Sequence, residues 1–138
     1  MNICPIKVRR VTGLLLIAVS LVGCSGSDQM KVSGQVTLDG NPVENGTISF
    51  LPADGIGPSA ADLITDGRYT VEASPGPKRV EIHGYKTLGQ KRYDPTDPKS
   101  PMVDIKEPIV PEKYNVKSQL TCDIERGRDD LNFALQSQ

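Results

Sequence analysis

Tryptophan is absent from this chain, phenylalanine occurs only at Phe50 and Phe133, and four tyrosines complete the aromatics. A core with so few large rings has to rest on Val, Ile and Leu, which suits thin packed sheets and leaves little material for a deep aromatic pocket. Histidine occurs once, at His83. Chemistry that needs two imidazoles is thereby excluded, including multi-histidine zinc sites and two-histidine iron sites. A strong positive balance is also lacking, since the formal net charge is −1, so nucleic acid is not an expected partner. Long helical periodicity is missing from residues 30–138, where apolar residues recur two apart in short runs between Gly, Pro, Asn and Asp.

Acidic residues are missing from the whole stretch before Cys24, which carries Lys7, Arg9 and Arg10 and then the apolar run VTGLLLIAVSLV. The run is too short to cross a bilayer as a helix, which takes ~20 residues, but it suits the hydrophobic region of an export signal. A buried helix of the folded domain is the competing reading, and it fails because the run is flanked by clustered positive charge and has no polar face. The run ends in Leu21-Val22-Gly23-Cys24. This resembles the lipobox of bacterial lipoproteins, with an aliphatic residue three before the cut, a small one next to it, then cysteine. The resemblance implies a diacylglyceryl group on the Cys24 sulfur and cleavage between Gly23 and Cys24, with membrane attachment through the lipid. Each buried methylene contributes ~0.8 kcal/mol, so two or more acyl chains hold durably where one does not. Residues 1–23 are thus expected to be a helical signal peptide, and 24–30 the lipidated cysteine with a flexible polar tether. Ser25 after the cysteine favours, by resemblance to known sorting behaviour, the outer membrane of the envelope.

With Cys4 lost in the leader and Cys24 claimed by lipid, Cys122 is left without a disulfide partner, so packing has to supply stability. Residues 31–138 are expected to form a single β-sandwich. Val32, Gly34, Val36 and Leu38 share one face of a first strand, and Asp39-Gly40 turns it. Thr47–Leu51 forms the next, with Ile48 and Phe50 inward, and Ala61–Ile64 a short third. Asp66-Gly67 is a two-residue hairpin signal before Arg68–Glu72. Val80 and Ile82 alternate along Arg79–Tyr85, Leu120, Cys122 and Ile124 alternate later, and Leu131, Phe133 and Leu135 close the series. Roughly seven strands separated by turn signals predict an all-β, Greek-key sandwich.

Between Tyr85 and Gln119 the alternation lapses among five prolines, and about 86–118 is expected to be a long Pro-rich loop, a place for recognition or a cover over one sheet edge. Lys91, Arg92, Tyr93 and Tyr114 are its candidate recognition residues, the basic pair beside Tyr93 suiting an anionic polysaccharide or lipid head group. The aspartates Asp54, Asp62, Asp66, Asp94, Asp97 and Asp104 lack the spacing of a known calcium loop and read as turn residues.

Val32-Ser33-Gly34-x-Val36-Thr37-Leu38-Asp39-Gly40-x-Pro42-Val43, then Gly46-x-Ile48-x-Phe50-x-Pro52, Thr65-Asp66-Gly67-Arg68-Tyr69 and Pro111-Glu112-Lys113-Tyr114-Asn115, resemble short bacterial lipoproteins with a carboxypeptidase regulatory-like domain. The resemblance implies a seven-stranded transthyretin-like sandwich, and accessory, adhesive or carbohydrate-contacting roles. Transthyretin-like purine hydrolases use several histidines and end in Tyr-Arg-Gly-Ser; this chain ends Phe133-Ala134-Leu135-Gln136-Ser137-Gln138, so that activity is not expected. The expectation is a non-enzymatic binding module without cofactor or metal, with an envelope protein or polysaccharide as partner. The alternatives are a hydrolase using Cys122 and His83, and a scaffold component of an envelope assembly. Cys122 falls on a core face and His83 on the opposite parity, which counts against the hydrolase.

Overall fold

The computed structural model describes residues 28–138. The leader, Gly23 and Cys24 lie outside the described residues. The described residues are all-β: β1 (Met30–Leu38), β2 (Asn41–Pro42), β3 (Asn45–Pro52), β4 (Ala60–Thr65), β5 (Arg68–Ala73), β6 (Gly76–Arg92), β7 (Met102–Pro108), β8 (Thr121–Ile124) and β9 (Phe133–Leu135), with a 3-10 turn at Glu112–Tyr114. Met30 already pairs with Ala73 and packs on the core, so the expected tether reaches into the first strand by one residue.

Two turns carry the local logic. Asp39-Gly40 and Asp66-Gly67 take φ of 50° and 82°, and of 51° and 74°. Paired positive φ is the backbone of a tight hairpin whose twist matches its strands. The turns close Leu38 on Asn41 and Thr65 on Arg68. The strands run in the order β2-β1-β5-β4-β3-β6-β7, with β8 on β6 and β9 on β1. All neighbours are antiparallel save β1 and β9, which run parallel with Val36 opposite Phe133.

The sheet curls so that one face closes on itself. Val32, Val36, Ile48, Phe50, Tyr69, Val71, Val80, Ile82, Ile124 and Leu135 meet inside it, each placed there by the two-residue period of its strand. Phe50, Tyr69 and Phe133 pack as a trio with ring centroids 5.9–6.3 Å apart, so three of the six aromatic rings gather against the aliphatic core. Gly34 admits the chain's final segment. A Cβ there would lie 1.9 Å from the Leu131 carbonyl oxygen, because Leu131 N donates to Ser33 O at 2.9 Å and Tyr69 Oη donates to Leu131 O at 2.6 Å.

The segment expected as a Pro-rich loop is largely strand. β6 runs on to Arg92, and β7 pairs with it from Tyr85–Pro108 to Arg92–Met102. β3 leaves β6 at Tyr85. Beyond that point β6 and β7 form a two-stranded ribbon, an arm whose residues are exposed or half-exposed except Ser100. A ribbon wet on both faces has no buried side to impose apolar alternation, which is why its strand character does not register in the pattern. The strand total is accordingly nine among the described residues, not seven.

Candidate functional site

The arm brings Lys91, Arg92 and Tyr93 together at its far end and leaves Tyr114 at its base. Tyr114 follows β7 in the 3-10 turn and packs on the core; its Oη accepts the Gln136 N–H at 3.2 Å, and Lys113 Nζ sits 5.1 Å above its ring. At ~3.3 Å per strand residue the tip lies on the order of 20 Å further out. Tyr114 therefore anchors the C-terminal segment and is no part of a recognition cluster with the other three. Sequence proximity between prolines is not spatial proximity when a hairpin intervenes.

The tip is braced by its own polar groups. Arg92 Nη1 donates to Pro98 O at 2.6 Å and Ser100 O at 3.3 Å, Asp94 N donates to Ser100 Oγ at 2.7 Å, and Tyr93 N donates to Pro101 O at 2.9 Å. Asp94 accepts from the Thr96 N–H and hydroxyl at 2.8 and 2.6 Å, and Asp97 from the Lys99 N–H at 2.9 Å. These are the turn roles expected of the two aspartates. Hydrogen bonds from Thr96 hold the Asp94 carboxyl below the usual carboxylate range. Arg92 is thus spent on structure, and Lys91 with Tyr93, the latter 77% exposed, are what the tip presents outward.

Cys122 and His83 are not brought together. Cys122 stands opposite Lys78 and His83 opposite Thr47. Directly opposed residues point to one face, so Cys122 shares the face of Lys78, Val80 and Ile82 while His83 points from the other. Five β6 residues, roughly 16 Å, separate the two positions along the strand. Burial first, and then the Asp123 carboxylate, push the Cys122 thiol up; Lys78 and Arg128 oppose this and do not win. A thiol so held is a weak nucleophile at neutral pH.

Lys78 has no signal in the sequence. It is 4% exposed, and its Nζ donates to Ser74 Oγ at 2.9 Å across the turn that opens β6. On the body, an open groove between β1, β5 and the 130–132 segment is lined by Gln35, Arg68, Thr70, Asp130 and Asn132. A second holds His83 with Pro108, Asn115, Val116 and Ser137. Both are shallow, and neither gathers the nucleophile, base and oxyanion donors of a hydrolytic site. Among the described residues no cluster of three His, Cys, Asp or Glu suits a metal, and no helix is long and apolar enough to cross a membrane.

What the structure adds to the sequence is the outer edge of β7. Its one trace along the chain is Val103 and Ile105 two apart between Pro101 and Pro108, a pair too short to establish a period.

No known protein family and no curated protein matches the chain. Among solved structures it is similar to a 9R-lipoxygenase from Cyanothece PCC8801, at 13% identity over 79% of this chain, with a TM-score of 0.38. The chain spans 16% of that protein's length, and a likeness of this size carries neither its activity nor its family across.

Proposed function

We propose that this chain is a lipoprotein of the bacterial cell envelope, exported by residues 1–23, held to the membrane by lipid on Cys24, and acting through its β-domain as a non-enzymatic binding or structural module. The observation that carries the reading is the leader, in which a basic head, an apolar run and Leu21-Val22-Gly23-Cys24 follow one another in the order that export and lipidation require. Ser25 favours the outer membrane as the destination.

Within this reading the body is a Greek-key sandwich of the carboxypeptidase regulatory-like kind. Support comes from the shared core, to which β1, β3, β5, β6, β8 and β9 all contribute, and from β1, which pairs with β5 along its first half and with β2 and β9 along its second. The non-enzymatic reading is supported by the separation of Cys122 from His83 and by the raised thiol. Lys91 and Tyr93 at the arm's tip are the surface proposed for a polysaccharide or an envelope protein. A second reading, a scaffold component of an envelope assembly, is favoured by the arm itself, which extends β6 beyond its pairing with β3 and, among the described residues, leaves both its strand edges open.

Intact mass of the protein extracted from membranes, beside a Cys24→Ala variant, tests the proposal. A species beginning at Cys24 and carrying diacylglyceryl mass, lost in the variant, is the expected result. An unmodified mass, or a cut elsewhere, removes the anchor and with it this reading.

A further inference from the structure

We propose that β7 is a self-association edge, through which two copies of this chain pair antiparallel about Ile105 and join their arms into one four-stranded sheet. The pairing goes beyond the anchored-module reading and does not depend on the lipid.

Backbone phase comes first. Tyr93 N donates to Pro101 O, and Ile109 N to Gly84 O, both at 2.9 Å. In an antiparallel ladder, residues that exchange bonds with the partner strand alternate with residues whose N–H and C=O face away. Counting inward from those two pairs through the printed register, Val103, Ile105 and Glu107 spend their backbone groups on β6, while Met102, Asp104 and Lys106 turn theirs outward. Pro108 turns out only a carbonyl. Among the described residues the outer edge of β7 is thus an unused ladder, bounded by prolines at both ends.

Charge then selects the register. Charged side chains on an edge ordinarily block pairing with another strand. Here they oppose one another with alternate sign. When a second β7 lies antiparallel with Ile105 on Ile105, Asp104 of each copy faces Lys106 of the other, and each such pair can exchange two backbone hydrogen bonds. Met102 faces Pro108 and donates to its carbonyl. Sliding by two residues in either direction sets Asp104 on Asp104 or Lys106 on Lys106, and like charges directly opposite are destabilising. Sliding by one opposes an outward-facing residue to an inward-facing one and loses the ladder. One register is left.

The opposite face of the arm agrees with it. Val103 and Ile105 share that face, and Ile105 is 38% exposed. Pairing about Ile105 brings the two apolar stripes side by side. Growth beyond two copies is opposed because the arm's other edge, on β6, carries an irregularity between Thr87 and Gly89 that interrupts a ladder. The contact is isologous and closes on itself.

The test uses the full chain in a mild detergent, with mass measured by sedimentation equilibrium. Asp104→Lys alone and Lys106→Asp alone each set like charges opposite one another and are expected to weaken the dimer by about tenfold or more. Mixing the two variants restores opposite charges in every pair, so a heterodimer of wild-type strength is expected from two proteins that each self-associate weakly. Ile105→Cys is expected to give an intermolecular disulfide under mild oxidation, because a non-hydrogen-bonded antiparallel pair sets Cα atoms ~4.5 Å apart, within bridging range. A wild-type chain that stays monomeric, a dimer indifferent to both charge variants, or single variants not rescued by mixing would each overturn the proposal. The rescue by mixing separates lost pairing from lost folding. Repeating the measurement on Cys24→Ala keeps the outcome independent of the anchor.

Discussion

The body and the arm are built from the same strand, and they obey different rules. From Gly76 to Tyr85, β6 is paired with β8 along residues 76–79 and with β3 along residues 78–85, and Val80 and Ile82 are wholly buried. From Lys86 to Arg92 it has only β7 beside it, and its residues are wet on both faces. A buried face supplies most of the free energy of a sheet, at roughly 25 cal/mol per Å² of apolar surface removed from water. A two-stranded ribbon removes little, and alone in water it is marginal. The body holds itself together by packing. The arm is held by its root, by the Gln90–Asp104 contact at 3.0 Å and by the hydrogen bonds of its tip. A structure that leaves two strand edges open in water is better suited to meeting a neighbour than to stabilising its own chain.

The sharpest way to break this contrast is to empty the core. Phe50→Ala, at a side chain with no exposed surface, is expected to cost about 3–5 kcal/mol in urea unfolding. Gly34→Ala follows. The new methyl would meet the Leu131 carbonyl, and the expected loss is about 2–3 kcal/mol, with the 129–131 segment released from β1 as read by hydrogen exchange. Tyr69→Phe removes a buried hydrogen bond to the same carbonyl, for a loss of about 1–2 kcal/mol.

Tyr69 also sets a pH limit. Burial above all, with smaller contributions from Cys122 and Asp130, raises its phenol well above the ordinary range. A raised folded-state pKa means that its contribution is whole below the unfolded value of ~10 and declines as pH rises past it. Stability is therefore expected to fall above about pH 10 more steeply in the wild type than in Tyr69→Phe. Equal slopes in the two proteins would remove the phenol from the account.

Smaller effects belong to the thiol and the arm. Cys122 in the folded chain is expected to react with an alkylating reagent many-fold more slowly than after unfolding, because burial raises its pKa and leaves it only partly exposed. Reaction as fast in the folded as in the unfolded chain would revive the cysteine hydrolase. Leu88→Ala on the arm is expected to change global stability by no more than about 0.5 kcal/mol. A loss as large as that of a core substitution would show that the arm and the body unfold as one unit.

Much of the body is legible along the chain. Val32 and Val36 recur four apart with Gly34 between them, and Ile48 and Phe50, Tyr69 and Val71, and Val80 and Ile82 two apart, because each strand buries one face, and the two Asp-Gly pairs mark hairpins because few other residue pairs accept two positive φ angles. Both signals are local. The arm escapes such reading for the same reason: it buries neither face, so no period is written into it, and its prolines at 95, 98 and 101 belong to the tip and not to a loop 30 residues long. Tyr114 lies near Lys91, Arg92 and Tyr93 in sequence, and the hairpin between them carries the tip away. Of the candidate site, the exposure of Lys91 and Tyr93 could be read in advance, and the structural use of Arg92 could not.

By itself, the sequence determined the β class, the turns, the faces of the body strands and the signals that point to export, since each depends on residues within a few positions of one another. Only the tertiary structure decided which strands share an edge, that β3 leaves β6 at Tyr85, and that the outer edge of β7 is unpaired among the described residues. Those outcomes depend on long-range pairing, in which a strand's neighbours are chosen by the packing of the whole sheet and not by its own composition.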